Sequence, residues 1–490
     1  MARVQCHHVH GEKCPTSSGR PDGLPRGVHR GGGACCSSKG SKCSSRRSIE
    51  VTVSQVHAEQ LIPDSQCQRS TMYVVIVGAG PSGLLLGVLL ARNLSIKVTI
   101  LDASTQVDSN PRAAHYAPSA VYDFHRAGII DDVRKQGFTP KGVCWRLKDT
   151  TFLAGMGREP EESEYAMAVL PLDRLGPLLV EHFESLPNTE ILWGHKLTGV
   201  KQDGNTATAL VETSEGENKE ITGDFLVGAD GASSAVRTAL FGKEYPGETL
   251  KQQIVATNVY LPFDERHNYW DSNFICHPTD WYMAARITPD GLWRVTYGDD
   301  ADLSREELVR RQPKRYEEIL PGNPKPGDYK LVSMSPYKLQ QRCARSFREG
   351  RIVLVADAAH LCNPFGGLGL TGGFADVGSL YDCFLGIHKS ELDIDILSKY
   401  SDVRKALWRD MIDPMSRENF HRLWDPAAEK KRDEFFKVCE RASADPVWGK
   451  SVAGSVMAVR HDFTQYFKSK GGDGIGGFVD GRVEERESKE

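Results

Sequence analysis

The 490-residue chain lacks any marked imbalance of charge, since 61 Lys and Arg against 65 Asp and Glu leave a formal net of −4. Such a chain has no basic footprint for nucleic acid, and no aromatic cluster is interleaved with Lys or Arg, so that class of partner drops out. A secretory signal is also missing, because no apolar run of about 7 to 15 residues occurs before residue 71. Cys6, His7, His8, His10 and Cys14 are metal-ligating residue types, yet no second CxxC pair follows at zinc-finger spacing. No Ser/His/Asp triad is evident, and no bound metal is expected. The final Ser488-Lys489-Glu490 is not a peroxisomal Ser-Lys-Leu. These absences predict a cytoplasmic protein that acts on small molecules.

What is present divides near residue 71. Residues 1–71 hold ten Lys or Arg, five Asp or Glu and six of the twelve Cys, so the net charge is +5 there and −9 over the rest. Their Gly, Ser and Pro stretches have no sustained apolar periodicity and cannot bury enough surface to offset backbone ordering. A disordered extension is expected. Arg and Ser are frequent as in a transit peptide, but the apolar helical face is missing. Met72 directly precedes the first strand, so the extension also reads as sequence upstream of the true start.

Val74 to Ala91 are eighteen uncharged residues, long enough to suggest a membrane span. Gly78, Gly80 and Pro81 argue otherwise, because they separate a β-branched run from a Leu-rich one and predict strand, tight turn, helix. The turn Gly78-Ala79-Gly80-Pro81-Ser82-Gly83 is a complete GxGxxG. Gly78 allows the turn, Gly80 lets the backbone approach a pyrophosphate, and Gly83 allows close packing of the helix, whose N-terminus carries about +0.5 charge. A second strand, Lys97 to Leu101, ends at Asp102, where a carboxylate can accept hydrogen bonds from a ribose. The unit predicts dinucleotide binding and leaves NAD and FAD both open.

Two later segments carry a resemblance. Phe225 to Leu240 reads FLVGADGASSAVRTAL, and Ile352 to Asp376 reads IVLVADAAHLCNPFGGLGLTGGFAD. Over roughly residues 72 to 425 the chain resembles the single-component FAD-dependent aromatic hydroxylases, flavoprotein monooxygenases related to para-hydroxybenzoate hydroxylase. Asp230, Gly231, Ser234 and Arg237 match their DGxxSxxR signature, and Asp357, Ala358, Ala359, His360 and Pro364 match their GDAAHxxxP segment. The resemblance implies FAD as the cofactor, with Asp357 on the ribityl chain and the glycine string through Gly367 and Gly369 opening a helix that faces the pyrimidine end of the flavin. It further implies Arg112 and Arg174 as FAD contacts, and Asp230 and Arg237 in a region serving both dinucleotides. The chain departs from the family where Gly-Asp becomes Ala356-Asp357 and Gly-Gln-Gly-x-Asn becomes Gly367-Leu368-Gly369-Leu370-Thr371. A negative φ would accommodate the Ala356 methyl, whereas a positive one would strain it.

No second GxGxxG lies between adequate strands, so a nicotinamide has no Rossmann domain of its own and NAD(P)H is expected as a transient co-substrate. In the resembled family, reduced flavin then takes up O2 at C4a, and the resulting hydroperoxide hydroxylates a phenolic or polyketide-like aromatic, often in secondary metabolism. A phenol with a pKa near about 10 needs a cation or an acceptor nearby to ionise at neutral pH.

Substrate contacts are expected in residues 251–340, where Ile254 to Leu261, Trp281 to Ile287 and Leu292 to Tyr297 alternate as an antiparallel sheet, with a hairpin turn at Asp290-Gly291. Tyr260, Trp281, Tyr282, Arg286, Trp293, Arg294 and Tyr297 are candidates for an aromatic pocket, half of them necessarily pointing away. Arg294 and Tyr297 are the substrate-side choices, while His277 and His360 fit structural roles better than acid/base ones.

The expected fold is α/β: a Rossmann-like FAD-binding domain in two parts (72–250 and 341–400), an inserted antiparallel β-sheet substrate domain (251–340), C-terminal helices (401–469) and a flexible tail (470–490). Pro414 and Pro426 should interrupt the helices, which either cover the flavin domain or meet a second subunit, as in a homodimer. The expected activity is NAD(P)H- and O2-dependent hydroxylation. The same scaffold also supports epoxidation, Baeyer–Villiger insertion, C=C reduction, or FAD binding without turnover.

Overall fold

The eighteen uncharged residues from Val74 divide at the glycines, into the strand Tyr73–Val77 and the helix Pro81–Leu94. They belong to a computed structural model that describes residues 71–108, 113–157 and 163–467; the expected leading extension, the tail and Arg112 lie outside the described residues. The helix is apolar all round because it is enclosed all round. Leu84, Leu85, Leu86, Val88, Leu89 and Leu90 are fully buried, and the helix packs against Leu172–Glu184 and Leu368–His388. Its 14 residues at about 1.5 Å each fall short of a bilayer core of about 30 Å. Among the described residues, no helix is long and apolar enough to cross a membrane.

Tyr73–Val77 occupies the middle of a parallel sheet, ordered Ile352–Leu354, Phe225–Gly228, Tyr73–Val77, Lys97–Leu101, Thr189–Leu192, with Arg348–Glu349 added antiparallel at the edge. Its strands read as continuous β-branched and Leu runs because both faces are covered. All three sequence motifs follow strands of this sheet, at the carboxyl ends where open α/β sheets bind ligands.

A second sheet of eight strands contains the three expected ones, as Gly247–Tyr260, Tyr282–Arg286 and Leu292–Asp299, joined through the Asp290-Gly291 turn with Gly291 at φ +86°. It reaches beyond residues 251–340. Val143–Leu147 pairs in parallel with Ser272–Cys276, and Phe152–Met156 lies outside it, so two strands come from the segment read as part of the nucleotide domain.

Alternation along the strands sorts the side chains of this sheet. Val255, Val259, Tyr282, Trp293, Val295 and Tyr297 pack with Leu308, Tyr316 and Ile319 of the helix Arg305–Ile319. Ile254, Trp281 and Leu339 belong to the core on the other side, with Phe365 and Phe420.

The C-terminal helices do two jobs. Ile396–Leu407 packs on Leu368–His388, whereas Glu429–Ala444 covers the outer strand Phe152–Met156, setting Phe435 edge-on to Trp145 at 4.9 Å. Pro414 does not break the chain of helices as expected. A π-helical turn, Trp408–Ile412, leads straight into Asp413–Trp424 and absorbs the proline in its first turn. Pro426 does separate two helices.

Candidate functional site

The glycines of the first turn differ in their surroundings. Gly78 has φ +111°, and a Cβ there would lie 2.7 Å from the carbonyl carbon of Ala229. At Gly83 a Cβ would overlap the Gly78 carbonyl oxygen and crowd Ile76 Cγ2 at 3.2 Å and Ala229 Cβ at 3.3 Å. Gly80 is the opposite case: its φ of −76° and ψ of 173° suit any residue, and nothing lies within 4 Å of its Cβ position. It is the N-cap of Pro81–Leu94, without a side-chain cap. The backbone there is kept open, although neither conformation nor packing demands it.

Asp102 closes this turn from the next strand. The Ala79 N–H donates to Asp102 Oδ2 (2.7 Å) and the Ser104 N–H to Oδ1 (2.8 Å). A carboxylate offers about four acceptor sites, so capacity for a ligand hydroxyl remains.

The DGxxSxxR segment serves to fasten. Asp230 accepts from Ser234 Oγ (2.5 Å) and from the N–H groups of Ala235 (2.7 Å) and Val236 (3.1 Å), at the start of Ala235–Phe241. Burial pushes its carboxyl upward, more than those hydrogen bonds pull it down. Arg237 donates to the carbonyls of Ala358 (3.0 Å) and Ala232 (2.8 Å) and lies 3.6 Å over the Tyr245 ring. The Tyr245 hydroxyl in turn donates to the Asp357 carbonyl (3.1 Å). Two motifs more than a hundred residues apart are thereby stapled together, with the Asp357 side chain exposed beside the staple.

Ala356 keeps the conformation that glycine would favour, with φ +53°. The expected strain is therefore present. The glycine string after it opens the 21-residue helix Leu368–His388, with Gly367 as a left-handed N-cap at φ +68°. No described side chain caps it, and nothing lies within 4 Å of a Cβ on Gly367, while one on Gly369 would only touch Cys362 Sγ at 3.8 Å. Thr371, where the family has Asn, donates its hydroxyl to the Gly367 carbonyl at 2.7 Å. The two uncapped helix starts approach each other. A Cβ on Gly373 would stand 2.7 Å from Ala356 Cβ and 3.7 Å from Ser82 Oγ. Two helix N-termini and two open glycines fit an extended anionic ligand such as a dinucleotide.

The two substrate-side choices fall on opposite faces of their strand. Arg294 Nε donates to Asn258 Oδ1 (3.0 Å), and its charge is felt by His115, Tyr116 and Tyr337. Tyr337 shares this face and is 40% exposed. Burial, helped by the nearby Arg294, lowers His115 to about 4, so it is neutral at pH 7. Burial also draws the Arg294 guanidinium down, against the pull of Tyr337, Asp173 and Tyr116. Tyr297 lies on the other face. It is fully buried, its ring is 6.1 Å from Tyr316, and its hydroxyl has no hydrogen-bond partner among the described residues. Residues three apart on a strand must face opposite ways.

Arg174 is exposed, and its charge reaches Tyr260 and Asp290 at the tip of the second sheet. His277 accepts from the Asp280 N–H (2.9 Å) in a surface turn. His360 is buried against Asp376 at 2.7 Å. Sequence reasoning missed His115, Tyr245, Tyr337 and Arg404. For Asp376 there was a signal, an acid within an otherwise apolar helical run that holds only one other, Asp382.

Residues 71–414 match the FAD binding domain family. The chain is 36% identical over 372 residues to para-nitrophenol 4-monooxygenase of Pseudomonas sp. (strain WBC-3), covering 74% of this chain and 91% of that one. It is 30% identical over 376 residues to 6-hydroxy-3-succinoylpyridine 3-monooxygenase HspB of Pseudomonas putida (strain DSM 28022 / S16), covering 76% and 94%. The crystal structure of p-nitrophenol 4-monooxygenase PnpA from Pseudomonas putida DLL-E4 superposes with a TM-score of 0.73 at 32% identity, over 79% of this chain and 98% of that one.

Proposed function

Because the chain belongs to the family of FAD-dependent aromatic-ring monooxygenases, we propose that it hydroxylates a phenolic small molecule, with NAD(P)H as a transient reductant and O2 as the oxygen source. Bound FAD supplies the two-electron transfer and the activation of O2 that this reaction needs. Everything else falls to the residues of this chain.

Gly78, Gly80 and Gly83 hold the diphosphate of FAD against the start of Pro81–Leu94, with Asp102 on the adenosine ribose. Asp357 takes the ribityl hydroxyls, while Gly367 and Gly369 present N–H groups to the pyrimidine end, where a helix N-terminus favours negative charge. Asp230 and Arg237 act at one remove, by fixing the Asp357 turn. Arg174 is a further contact to the cofactor. The observation that carries this assignment is the pair of uncapped helix starts with unobstructed glycines, Gly80 and Gly367.

On the substrate side, Arg294 is the charged group, because His115 beside it is neutral at pH 7. A guanidinium next to a phenol lowers the phenol pKa by about 1–3 units, which favours the electron-rich phenolate that accepts oxygen. Tyr337 borders the same space. Phe365, edge-on to Trp281 at 5.5 Å, ties the glycine string to this face of the sheet. The names of the relatives make para-substituted phenols, p-nitrophenol first, and hydroxylated pyridines the natural substrates to test. A cytoplasmic supply of NAD(P)H suits this use.

The test is anaerobic reduction of the FAD-loaded protein by NADPH or NADH, with and without each phenol, followed by product mass under air. Faster reduction with one phenol and a product that has gained one oxygen, either heavier by that oxygen or with the oxygen in place of an expelled ring substituent such as the nitro group of p-nitrophenol (released as nitrite), support the proposal. A product heavier only by two hydrogens would identify a C=C reductase instead.

A further inference from the structure

Behind the Ala356-Asp357 turn lies a buried ionic cluster that the functional reading leaves unused. Asp376, Arg404 and His360 are at most 1% exposed. The Asp376 carboxylate receives Arg404 Nε on Oδ1 (2.6 Å), and His360 Nε2 (2.7 Å) and the Ala356 N–H (3.0 Å) on Oδ2. Arg404 also donates to the carbonyls of Val459 (2.6 Å) and Gly372 (3.3 Å). Burial alone would raise the Asp376 carboxyl, but His360 and Arg404 outweigh it and hold the group below the usual carboxylate range. Asp376 is therefore ionised, which places a proton on His360 Nε2.

A pair of charges this deep adds little net stability, because desolvation offsets their attraction. What the cluster fixes in place matters more. It grips the N–H of Ala356, whose left-handed φ of +53° an alanine adopts only at a cost, and it grips Gly372 in the first turns of Leu368–His388. Strained residues persist only where their surroundings over-determine them. With Ala356 Cβ 2.7 Å from the Cβ position of Gly373, neither side has slack.

We propose that His360, Asp376 and Arg404 are positioning residues that hold Ala356 left-handed and so set Asp357 and the start of Leu368–His388 toward the flavin. The proposal rests on the FAD-binding reading above. It also explains how alanine is tolerated where the resembled family has glycine.

The test is the affinity of apoprotein for FAD, read by flavin fluorescence quenching, with melting temperature followed in parallel. His360→Leu removes one donor and leaves the Asp376–Arg404 pair intact; its Kd should rise at least fivefold. His360→Gln, whose amide can still donate to Asp376, should bind at least threefold more tightly than His360→Leu. Asp376→Asn should weaken binding at least tenfold. Adding Ala356→Gly, which removes the left-handed penalty, should reduce the Asp376→Asn loss to threefold or less without restoring its melting temperature. A cluster serving the fold alone would give the same affinity loss in both backgrounds, and that result overturns the proposal. So would His360→Leu and His360→Gln binding FAD as the wild type does, a comparison that decides the matter if Asp376→Asn does not fold. Wild-type protein that takes up no FAD would sink the functional reading first, and the proposal with it.

Discussion

Adding one methyl group at Gly80 and at Gly83 should have separable effects, because the structure gives the two positions opposite surroundings. Gly80 has extended φ and ψ and nothing within 4 Å of its Cβ position. Replacing an N-cap glycine by alanine costs roughly 0.5–1 kcal/mol of helix stability, and the stiffer unfolded chain returns about 0.4–1 kcal/mol. Gly80→Ala should therefore melt within about 2 °C of wild type. If the open space is where the diphosphate meets the backbone, the same methyl should raise the FAD Kd at least tenfold, about 1.4 kcal/mol. At Gly83 the methyl overlaps the Gly78 carbonyl oxygen and crowds Ile76 and Ala229, and such overpacking costs about 1–3 kcal/mol or more. Gly83→Ala should lose stability and FAD binding together. The assay is FAD titration of apoprotein beside a circular-dichroism melt. Gly80→Ala that binds FAD as tightly as wild type, or Gly83→Ala that melts with it, would refute the reasoning.

Three other outcomes follow from the structure. Arg294→Ala should cut kcat/KM for a phenol at pH 7 by about 30-fold, or roughly 2 kcal/mol; the loss should shrink as pH rises and the phenol ionises unaided, and a loss independent of pH would count against phenolate stabilisation. Tyr297→Phe removes a buried hydroxyl that has no partner among the described residues, so stability should stay level or rise by up to about 1 kcal/mol, with turnover within about twofold of wild type if Tyr297 is outside the substrate site; a large loss of activity would place Tyr297 in that site. Asp382 shares Arg126 with Asp123, and burial, against the pull of Arg126, raises it to about 6. Its folded-state pKa lies above the unfolded value, so the folded protein binds the extra proton, and stability from this group is lost as pH rises from about 4 through about 6. Asp382→Asn should flatten the denaturant midpoint over that range, and an unchanged slope would contradict the assignment.

The parts legible in the sequence were those carried by local pattern. A strand, three glycines, a helix and a strand-end acid occupy thirty consecutive residues from Tyr73 to Asp102, and each is marked by its own composition. Alternation likewise exposed the strands around Val255, Tyr282 and Val295. The same rule, applied to spacing, puts Arg294 and Tyr297 on opposite faces. Other features depend on distance. Val143–Leu147 joins the second sheet by pairing with a strand about 130 residues later, and short apolar runs do not announce their partners. The His360, Asp376 and Arg404 cluster spans three elements. The sign of φ at Ala356 was equally hidden, because alanine ordinarily signals a negative value.

The central claim is that this chain uses FAD to insert one atom of O2 into an aromatic ring. Its most direct test is turnover of the FAD-loaded protein with NAD(P)H, a panel of phenols and heavy-isotope dioxygen, with mass analysis of the product. One labelled oxygen per product molecule and one nicotinamide oxidised for each are expected. Nicotinamide oxidation that yields only peroxide, or a product without label across the whole panel, would contradict it.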